Sequence, residues 1–258
     1  MKIARFEYEG VDKWGILKDK ELLEIELGES VTGEYTATGN TCKLDEVELL
    51  EPCNPSKIIG IGLNYRSHAK EVGMELPKEP IIFIKPSTAV IGNRAEIIIP
   101  THCKRVDYEA ELGVVIGRKA RNIAAADAGK YIWGYTCAND VTARDYQSME
   151  GQWTYSKSFD TFAPIGPWIE TEIDPNEMEI MGLLNGKVVQ KGSLTDLIFN
   201  VEELIEYISS CMTLLPGDVI MTGTPSGIGP LKNGDFFTVF IEGIGDLTNY
   251  AVLEHAKG

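Results

Sequence analysis

The sequence predicts an α+β fold, and three observations support that prediction. Runs rich in β-branched residues recur between Gly, Pro and Asn, as in KIIGIG, PIIFIKP and FFTVFIEG, and such runs are typical of strands. Only three segments have helical character. These helices do not alternate one for one with the strands, as they would in a TIM barrel or a doubly wound sheet.

The first fifty residues are expected to form short strands and hairpins, because apolar and polar residues alternate in KIARFEYEG and WGILKDKELLEIEL. Pro52 and Pro55 then interrupt the pattern. We therefore expect a small N-terminal β-rich domain over residues 1–55 and a main domain over residues 56–258.

The helices are predicted from their caps and their periodicity. Asn64 is expected to cap a short helix over residues 65–72, which Gly73 ends. A second helix is expected over residues 123–131. The third follows Asn200 and places four apolar side chains on one stripe, those of Leu204, Ile205, Ile208 and Met212.

The charge of the chain narrows its possible partners. The 258 residues include 24 Lys plus Arg and 39 Asp plus Glu, a formal net charge of −15. Such a chain is repelled by phosphate backbones and anionic lipids, so neither nucleic acid nor a membrane is expected as a partner. No apolar run approaches the roughly 18 residues of a membrane helix, and the first ten residues lack the features of a signal peptide. We therefore expect a cytoplasmic protein, with its five scattered cysteines reduced.

Carboxylates crowd one face of the strand predicted around residues 106–115. The two-residue period of a strand places Asp107, Glu109 and Glu111 on one face, opposite a row of core residues. These charges repel one another and no Lys or Arg lies between them, so an enclosed face would need a cation. The alternative is a solvated outer face. Asp140 follows another apolar run, and three oxygen ligands without clustered His or Cys suit Mg²⁺ or Mn²⁺ better than Zn²⁺.

Three further groups have polar side chains in unusual settings. His68 and Glu71 are three residues apart on one helical face, where the carboxylate can orient the imidazole as a general base; an exposed charged helix would have the same spacing. The segment 222–230 is rich in hydroxyls and glycine and either offers donors to an anion or is only a turn that ends a strand. Lys157 lies in a stretch more apolar than that of a typical surface lysine, although a surface ion pair is the alternative.

Together these segments resemble the fumarylacetoacetate hydrolase family, in particular its compact bacterial, archaeal and mitochondrial members. The resemblance extends from about Lys57 to Leu253 and rests on six motifs in the family's order: GLNYRSHAKE, FIKPSTAVIG, VDYEAELGVVIG, GYTCANDVTARDYQ, KSFDTFAPIGPW and LLPGDVIMTGTPSGIG. It implies a mixed β-sandwich roll with a small N-terminal β-rich domain, a homodimer, and a requirement for Mg²⁺ or Mn²⁺.

The resemblance also implies roles for individual residues. The implied metal ligands are Glu109, Glu111 and Asp140. The implied catalytic residues are the His68–Glu71 dyad, on a mobile lid, and Lys157. The implied substrate contacts are Arg144, Gln147, Thr224 and Lys85, with Ser87 close to the site.

The implied activity is hydrolysis of a C–C bond in a small anionic 2-oxo acid of the acylpyruvate type, through an enolate that the metal stabilises. Three alternatives stay open at this point. They are an oxaloacetate decarboxylase, a 2-hydroxyhepta-2,4-diene-1,7-dioate isomerase/5-oxopent-3-ene-1,2,5-tricarboxylate decarboxylase, and a noncatalytic binding protein on the same fold.

The lid is expected over residues 64–77. Two glycines precede this segment, and a glycine and a proline lie at its end. Its helix has few apolar side chains that could pack against the core, so we expect the segment to be mobile without ligand and ordered with ligand. Substrate choice is expected to depend on residues 74–77 and 152–155.

Overall fold

The computed structural model describes residues 1–28, 35–147, 151–175 and 178–254. Twenty strands lie within these ranges. They are β1 (Lys2–Tyr8), β2 (Val11–Lys18), β3 (Glu21–Leu27), β4 (Tyr35–Lys43), β5 (Glu48–Leu49), β6 (Lys57–Gly62), β7 (Ile81–Pro86), β8 (Val90–Ile91), β9 (Glu96–Ile99), β10 (Val106–Tyr108), β11 (Ala110–Ile116), β12 (Ile132–Asn139), β13 (Thr142–Ala143), β14 (Ala163–Glu170), β15 (Glu179–Leu184), β16 (Lys187–Ser193), β17 (Val219–Met221), β18 (Gly229–Pro230), β19 (Phe236–Ile241) and β20 (Gly245–Leu253).

Helices are few, as predicted. The α-helices are α1 (Arg66–Val72), α2 (Thr154–Lys157) and α3 (Val201–Cys211). Short 3₁₀ helices cover Leu44–Glu46, Ser87–Ala89, Ala125–Tyr131, Arg144–Tyr146 and Leu194–Asp196. Within the described ranges, none of these helices is both long enough and apolar enough to cross a membrane.

The predictions for the three helices have different outcomes. The third is confirmed, because Asn200 caps α3 and exchanges hydrogen bonds of 2.9 Å with Glu203. The end of the first is confirmed at Gly73, which has a φ of 70°. The second is wrong in type, since Ala125–Tyr131 is a 3₁₀ helix in which the Asp127 N–H donates to the carbonyl three residues earlier.

Asn64 does not cap α1, contrary to the prediction. Its buried side chain accepts a hydrogen bond from Phe199 N at 2.9 Å and donates to Phe199 O and Thr222 O at 3.0 and 2.8 Å. Tyr65 occupies the cap position without a side-chain bond to the helix. Asn64 therefore fastens the start of the lid segment to the rest of the molecule.

The largest sheet has twelve strands. Ten of them follow the order β4-β3-β2-β1-β14-β12-β11-β17-β6-β7, with β5 paired to β1 and β8 paired to β14. Most neighbours are antiparallel, whereas β17 and β6 are parallel. A second sheet has the order β16-β15-β19-β20-β9.

The main core lies between these two sheets. Alternate residues of β11, such as Leu112 and Val114, pack in one cluster with Val239 and Leu247 of the five-stranded sheet. The intervening residues, such as Val115, pack in a second cluster with N-terminal residues. The α+β fold and the mixed β-sandwich are therefore confirmed.

The predicted carboxylate strand changes sheets at Glu109. Before this residue, β10 pairs with β13 and β18 in a small three-stranded sheet. After it, β11 pairs with β12 and β17 of the large sheet. Glu109 itself lies between the two strands, where the chain passes from the small sheet to the large one.

The N-terminal strands extend the large sheet. β1 pairs with β14 through Lys2 opposite Glu170 and Ile3 opposite Ile169. The sheet is therefore continuous across the proline-containing segment at residues 51–55.

Candidate active site

A cavity of about 120 Å³ opens at Glu109. Eight of the residues nominated from the sequence line it: His68, Glu109, Glu111, Asp140, Arg144, Gln147, Lys157 and Thr224. They come from β11 and the residue before it, from the segments after β12, β13 and β17, and from α1 and α2. The structure thus brings together residues that are up to 156 positions apart in the chain (224 − 68).

Three carboxylates form the floor of the cavity. Glu109, Glu111 and Asp140 each offer an oxygen, and these oxygens lie within 4.8 Å of one another. Their residues are 5%, 1% and 1% exposed. The alternative of a solvated outer face is therefore wrong.

Backbone hydrogen bonds hold the carboxylates in register. Asp140 N donates to Glu109 O at 2.9 Å, and Glu109 N donates to the side chain of Asn139 at 2.9 Å. Ala110 pairs with Asn139 across β11 and β12. As a result, Asp140 at the end of β12 and Glu109 at the break between β10 and β11 point their carboxylates into the same space.

Cationic side chains from distant segments bind two of the three acids. Lys157 Nζ donates to Glu109 at 2.9 Å and also contacts Asp140, while Arg144 contacts Glu109. Lys85 contacts Asp140 and donates to Val141 O at 3.1 Å. The sequence indicated that a cation was required but did not show that side chains supply part of the charge.

Asp107 does not join this cluster, although the strand period placed it on the same face. Arg105 binds it through two hydrogen bonds of 2.8 and 2.9 Å, and Arg144 Nε donates to it at 2.9 Å. Asp107 therefore orients Arg144, which contacts Glu109 through Nη2.

The pKa values of Glu109 and Glu111 are shifted in opposite directions. Burial alone would raise the pKa of Glu109, but Lys157 and Arg144 outweigh it and lower that pKa well below the usual range. Burial raises the pKa of Glu111 well above its usual value, and the charges of Asp140 and Glu109 raise it further. The charge of Lys157 and the hydrogen bond that Glu111 accepts from Gly223 N, at 2.8 Å, offset only part of this rise in the pKa.

This donor set fits a divalent cation. All three groups are carboxylates, the ligands that Mg²⁺ and Mn²⁺ prefer. Within the described ranges, no Lys, Arg or His forms an ion pair with Glu111. A cation bound here would offset the free-energy cost of keeping the Glu111 carboxylate charged in a buried site.

His68 and Glu71 form the expected pair. His68 Nδ1 lies 2.9 Å from Glu71 Oε2, and the imidazole is largely buried at the cavity. The other oxygen of Glu71 accepts from Gly227 N at 2.9 Å. Since Nδ1 donates to the carboxylate, Nε2 is the nitrogen left to accept a proton. The alternative of an incidental pair on an exposed helix is wrong for His68.

Aromatic and aliphatic side chains form the remaining wall. The rings of Phe83 and Trp153 meet edge to face with centroids 5.7 Å apart. A Cβ at Gly60 would lie 2.2 Å from the Phe83 ring, and a Cβ at Gly62 would lie 2.2 Å from the Trp153 ring. Phe83 was not among the predicted site residues, although the alternating glycines of KIIGIG indicate that bulky groups cover one face of that strand.

Two residues of the motif FIKPSTAVIG lie away from the cavity surface. Lys85 is fully buried behind Asp140, and its position does not suit a direct substrate contact. Ser87 is exposed on a 3₁₀ helix. Lys85 instead orients Asp140.

Thr224 lines the cavity, but its hydroxyl is already engaged. It donates to Ala110 O at 2.9 Å and accepts from Gln190 Nε2 at 2.8 Å. Gln147 accepts from Arg144 Nη1 at 2.5 Å. The contacts of Gln190 and Asn139 are long-range and leave no local pattern in the sequence. Gly223 lies in the segment 222–230, and its N–H donates to the Glu111 carboxylate, which agrees with the expectation that this segment offers donors to an anion.

Two family models cover most of the chain. The model described as fumarylacetoacetate (FAA) hydrolase C-terminal matches residues 57–252. The model described as Rv2993c-like, N-terminal, matches residues 1–52.

Several known proteins are similar to this chain over most of its length. The mitochondrial oxaloacetate tautomerase FAHD2A of Homo sapiens is 42% identical over 220 residues, which are 80% of this chain and 70% of that protein. The structure of 5-carboxymethyl-2-hydroxymuconate delta-isomerase from Mycobacterium smegmatis has 40% identity and a TM-score of 0.92, covering 98% of this chain and 100% of that one. Maleylpyruvate hydrolase from Sphingobium sp. SYK-6, solved with manganese(II) and pyruvate, has 27% identity and a TM-score of 0.81, covering 99% and 100%.

Proposed function

The chain belongs to the fumarylacetoacetate hydrolase family, and from this premise we propose that it is a Mg²⁺- or Mn²⁺-dependent hydrolase of acylpyruvate-like 2-oxo acids. The relatives described above are a tautomerase, an isomerase and a hydrolase, so enzymes of related chemistry share its fold. The observation that carries the proposal is a shared cavity. There the His68–Glu71 pair and Lys157 accompany three buried carboxylates.

Glu109, Glu111 and Asp140 would hold the cation. The bound cation would act as a Lewis acid that polarises the 2-oxo group and stabilises developing negative charge. Support comes from the all-oxygen donor set and from the manganese(II) and pyruvate in the maleylpyruvate hydrolase structure.

The side chains of the cavity supply the remaining steps of hydrolysis. His68 Nε2 takes a proton from water, and the resulting hydroxide adds to the acyl carbonyl carbon C4. The C3–C4 bond then breaks, so that the acyl group leaves as a carboxylic acid and the electron pair stays on C3. The proton held by His68 moves to C3 and completes pyruvate. Lys157 has one N–H left after its bonds to Glu109 and Asp140, and it donates this N–H to the oxyanion at C4.

The side chains that line the cavity favour a substrate that combines an anionic group with an uncharged group. Arg144 and Lys157 lie beside the carboxylates, where a 2-oxo acid has its own carboxylate. Apolar side chains, including Met74, Phe83 and Trp153, also line the cavity. A largely apolar lining with a few charged groups favours a short acyl substituent over a second charged group.

Proton transfer without hydrolysis is the second candidate. The His68–Glu71 pair can remove a proton from C3 and return it elsewhere without any water molecule taking part. Relatives at 42% and 40% identity are named as a tautomerase and an isomerase, and this favours the candidate. Decarboxylation of oxaloacetate would use the same site.

A substrate screen separates these reactions. Acetylpyruvate, fumarylpyruvate, oxaloacetate and 2-hydroxyhepta-2,4-dienedioate are each incubated with Mg²⁺ or Mn²⁺ while enol absorbance, pyruvate and CO₂ are measured separately. We expect pyruvate from acetylpyruvate with the wild type and none with Glu111→Gln. Absorbance changes without pyruvate or CO₂ would support the second candidate. No reaction with any substrate would contradict both.

We also propose that the protein is a homodimer. Exposed aromatic side chains near the cavity support this, since Tyr155 is 60% exposed and packs edge to face against Tyr146, with centroids 5.0 Å apart. One chain has a mass of 28.5 kDa, so a dimer has 2 × 28.5 = 57.0 kDa. Sedimentation equilibrium checks this, and a mass of one chain would contradict it.

A further inference from the structure

Gln190 contacts the backbone between two of the carboxylates from the opposite sheet. This residue of β16 is 1% exposed. Its Oε1 accepts from Ala110 N at 2.9 Å, and its Nε2 donates to Thr224 Oγ1 at 2.8 Å and to Pro225 O at 2.9 Å. Thr224 Oγ1 in turn donates to Ala110 O at 2.9 Å. Gln190, Thr224 and Ala110 thus form a closed ring of hydrogen bonds.

This ring binds both backbone groups of Ala110. A buried N–H or C=O without a partner destabilises the folded state, and Ala110 lies where the strand changes from one sheet to another. Side-chain groups therefore serve here as the partners that a regular sheet would otherwise supply.

The orientation of Ala110 determines where its neighbours point. Glu109 and Glu111 flank Ala110, so a rotation of this peptide would move both carboxylates away from Asp140. The room for Gln190 depends on Gly182 of the neighbouring strand, because a Cβ there would lie 3.0 Å from Gln190 Oε1. The five-stranded sheet thus contacts the carboxylates indirectly, through the side-chain amide of Gln190.

We propose that Gln190 is a positioning residue for the divalent cation. It fixes the Ala110 backbone so that the carboxylates on either side keep the separation that a cation needs. This inference rests on the proposed metal site. Groups behind metal ligands commonly change metal affinity by about 10–100-fold when they are removed.

The test measures Mn²⁺ affinity from the electron paramagnetic resonance signal of free Mn²⁺. Gln190→Met keeps the length of the side chain and removes its donor and its acceptor. We expect Mn²⁺ to bind about 10–100-fold more weakly than to the wild type. Circular dichroism of the metal-free variant checks that the fold is retained.

Asn249→Leu is the matched control. Asn249 is also a buried amide, 2% exposed, and donates to Gly92 O and Ala95 O at 2.9 and 3.1 Å. Replacing it removes a comparable set of hydrogen bonds outside the cavity. We expect wild-type Mn²⁺ affinity in this control, and an equal loss in both variants would overturn the inference.

Thr224 allows the same test from the other side of the ring, and it replaces the first test if Gln190→Met does not fold. Thr224→Val keeps the shape but loses the hydroxyl, whereas Thr224→Ser keeps the hydroxyl. We expect weakened Mn²⁺ binding in the first and restored binding in the second. Equal affinity in the two variants would overturn the inference.

Mn²⁺ binding by the wild type distinguishes a failure of this inference from a failure of the proposed metal site. If the wild type binds no Mn²⁺, the proposed metal site is wrong and the inference falls with it. If the wild type binds Mn²⁺ and Gln190→Met binds it equally well, only the positioning role is wrong.

Discussion

Glu111 differs from the other two carboxylates of the cavity in what compensates its charge. Lys157 and Arg144 bind Glu109, and lysines bind Asp140, whereas Glu111 accepts a hydrogen bond from Gly223 N. The local pattern of acids was sufficient to predict a need for positive charge. It could not predict which of the three acids would have no ion pair with a described Lys or Arg, because the compensating cations come from other parts of the chain.

Replacing Glu111 should separate metal binding from folding. Glu111→Gln keeps an acceptor for Gly223 N and removes a buried negative charge beside two others, so the metal-free protein should lose no stability. Saturating Mn²⁺ at about 100 times its Kd should stabilise the wild type by about 2.7 kcal/mol. We expect this stabilisation to be absent in the variant. Thermal unfolding with and without Mn²⁺ measures both effects.

A surface acid provides the control for that experiment. Glu179→Gln alters a half-exposed ion pair with Lys191 and should leave the Mn²⁺-dependent rise in Tm unchanged. A full Mn²⁺ response in Glu111→Gln would contradict the assignment of Glu111 as a ligand.

Glu71 should matter for catalysis more than for metal binding. Glu71→Gln keeps an oxygen for Gly227 N but turns an amide donor toward His68 Nδ1, which favours the imidazole tautomer with its proton on Nε2. General bases contribute about 10²–10⁴-fold to rates, so we expect kcat to fall by about 10²-fold or more. Mn²⁺ affinity should not change. Glu179→Gln again serves as the control, and wild-type kcat in Glu71→Gln would refute the dyad.

For the helices and strands, the sequence predicted those features that depend on contacts between residues close together in the chain. The capping box of α3 involves residues three positions apart, and the sequence shows it directly. Asn64 has the same residue type before a helix, yet its amide binds Phe199 and Thr222 instead. The break at Glu109 was equally hidden, since Gln190 and Thr224 bind the neighbouring peptide from distant parts of the chain. Propensity cannot distinguish a cap from a long-range contact that uses the same side chain.

The lid prediction now applies to a shorter segment. Asn64 and Tyr65 are fully buried, and Ser67 N donates to Asp196 at 3.0 Å, which anchors the first part of residues 64–77. The later part is mostly exposed, with Gly73 as a left-handed hinge position.

Hydrogen exchange measures whether the lid responds to ligand. We expect amides of residues 70–76 to exchange at least several-fold more slowly when oxalate and Mg²⁺ are added, because ligand contacts would order this part of the segment. Residues 64–66 should change little, since burial and the hydrogen bond from Arg66 to Leu197 O anchor them already. Unchanged exchange over residues 70–76 would contradict a mobile lid.

At the scale of the whole molecule, the fold class was predictable but the joining of its parts was not. Strand-rich patterning and few helices indicated an α+β fold, and the division into residues 1–55 and 56–258 stays a prediction. The pairing of β1 with β14 connects residues near positions 3 and 169, and no local pattern specifies such a contact. Consequently the N-terminal strands share a sheet and part of a core with the strands that carry the carboxylates.

Ile3 tests whether this shared core couples the two parts in stability. Its side chain is 2% exposed and packs in one cluster with Val115, Ile165 and Ile169. Removing a buried isoleucine side chain costs about 2–5 kcal/mol, so Ile3→Ala should lower the Tm of one common transition, by about 2–4 °C per kcal/mol. Val11→Ala, at a 54% exposed position of the neighbouring strand, should change stability by less than about 0.5 kcal/mol.

Two signals decide the outcome of this experiment. Fluorescence of Trp14 and Trp133, whose rings lie 5.6 Å apart across the boundary, reports on the shared core, and loss of bound Mn²⁺ reports on the carboxylates. We expect both signals to shift together in Ile3→Ala, because the pairing of β1 with β14 transmits the loss of packing into the sheet that carries Glu111. Two separate transitions, with Mn²⁺ release at the wild-type temperature, would instead mean that residues 1–55 unfold independently of the site.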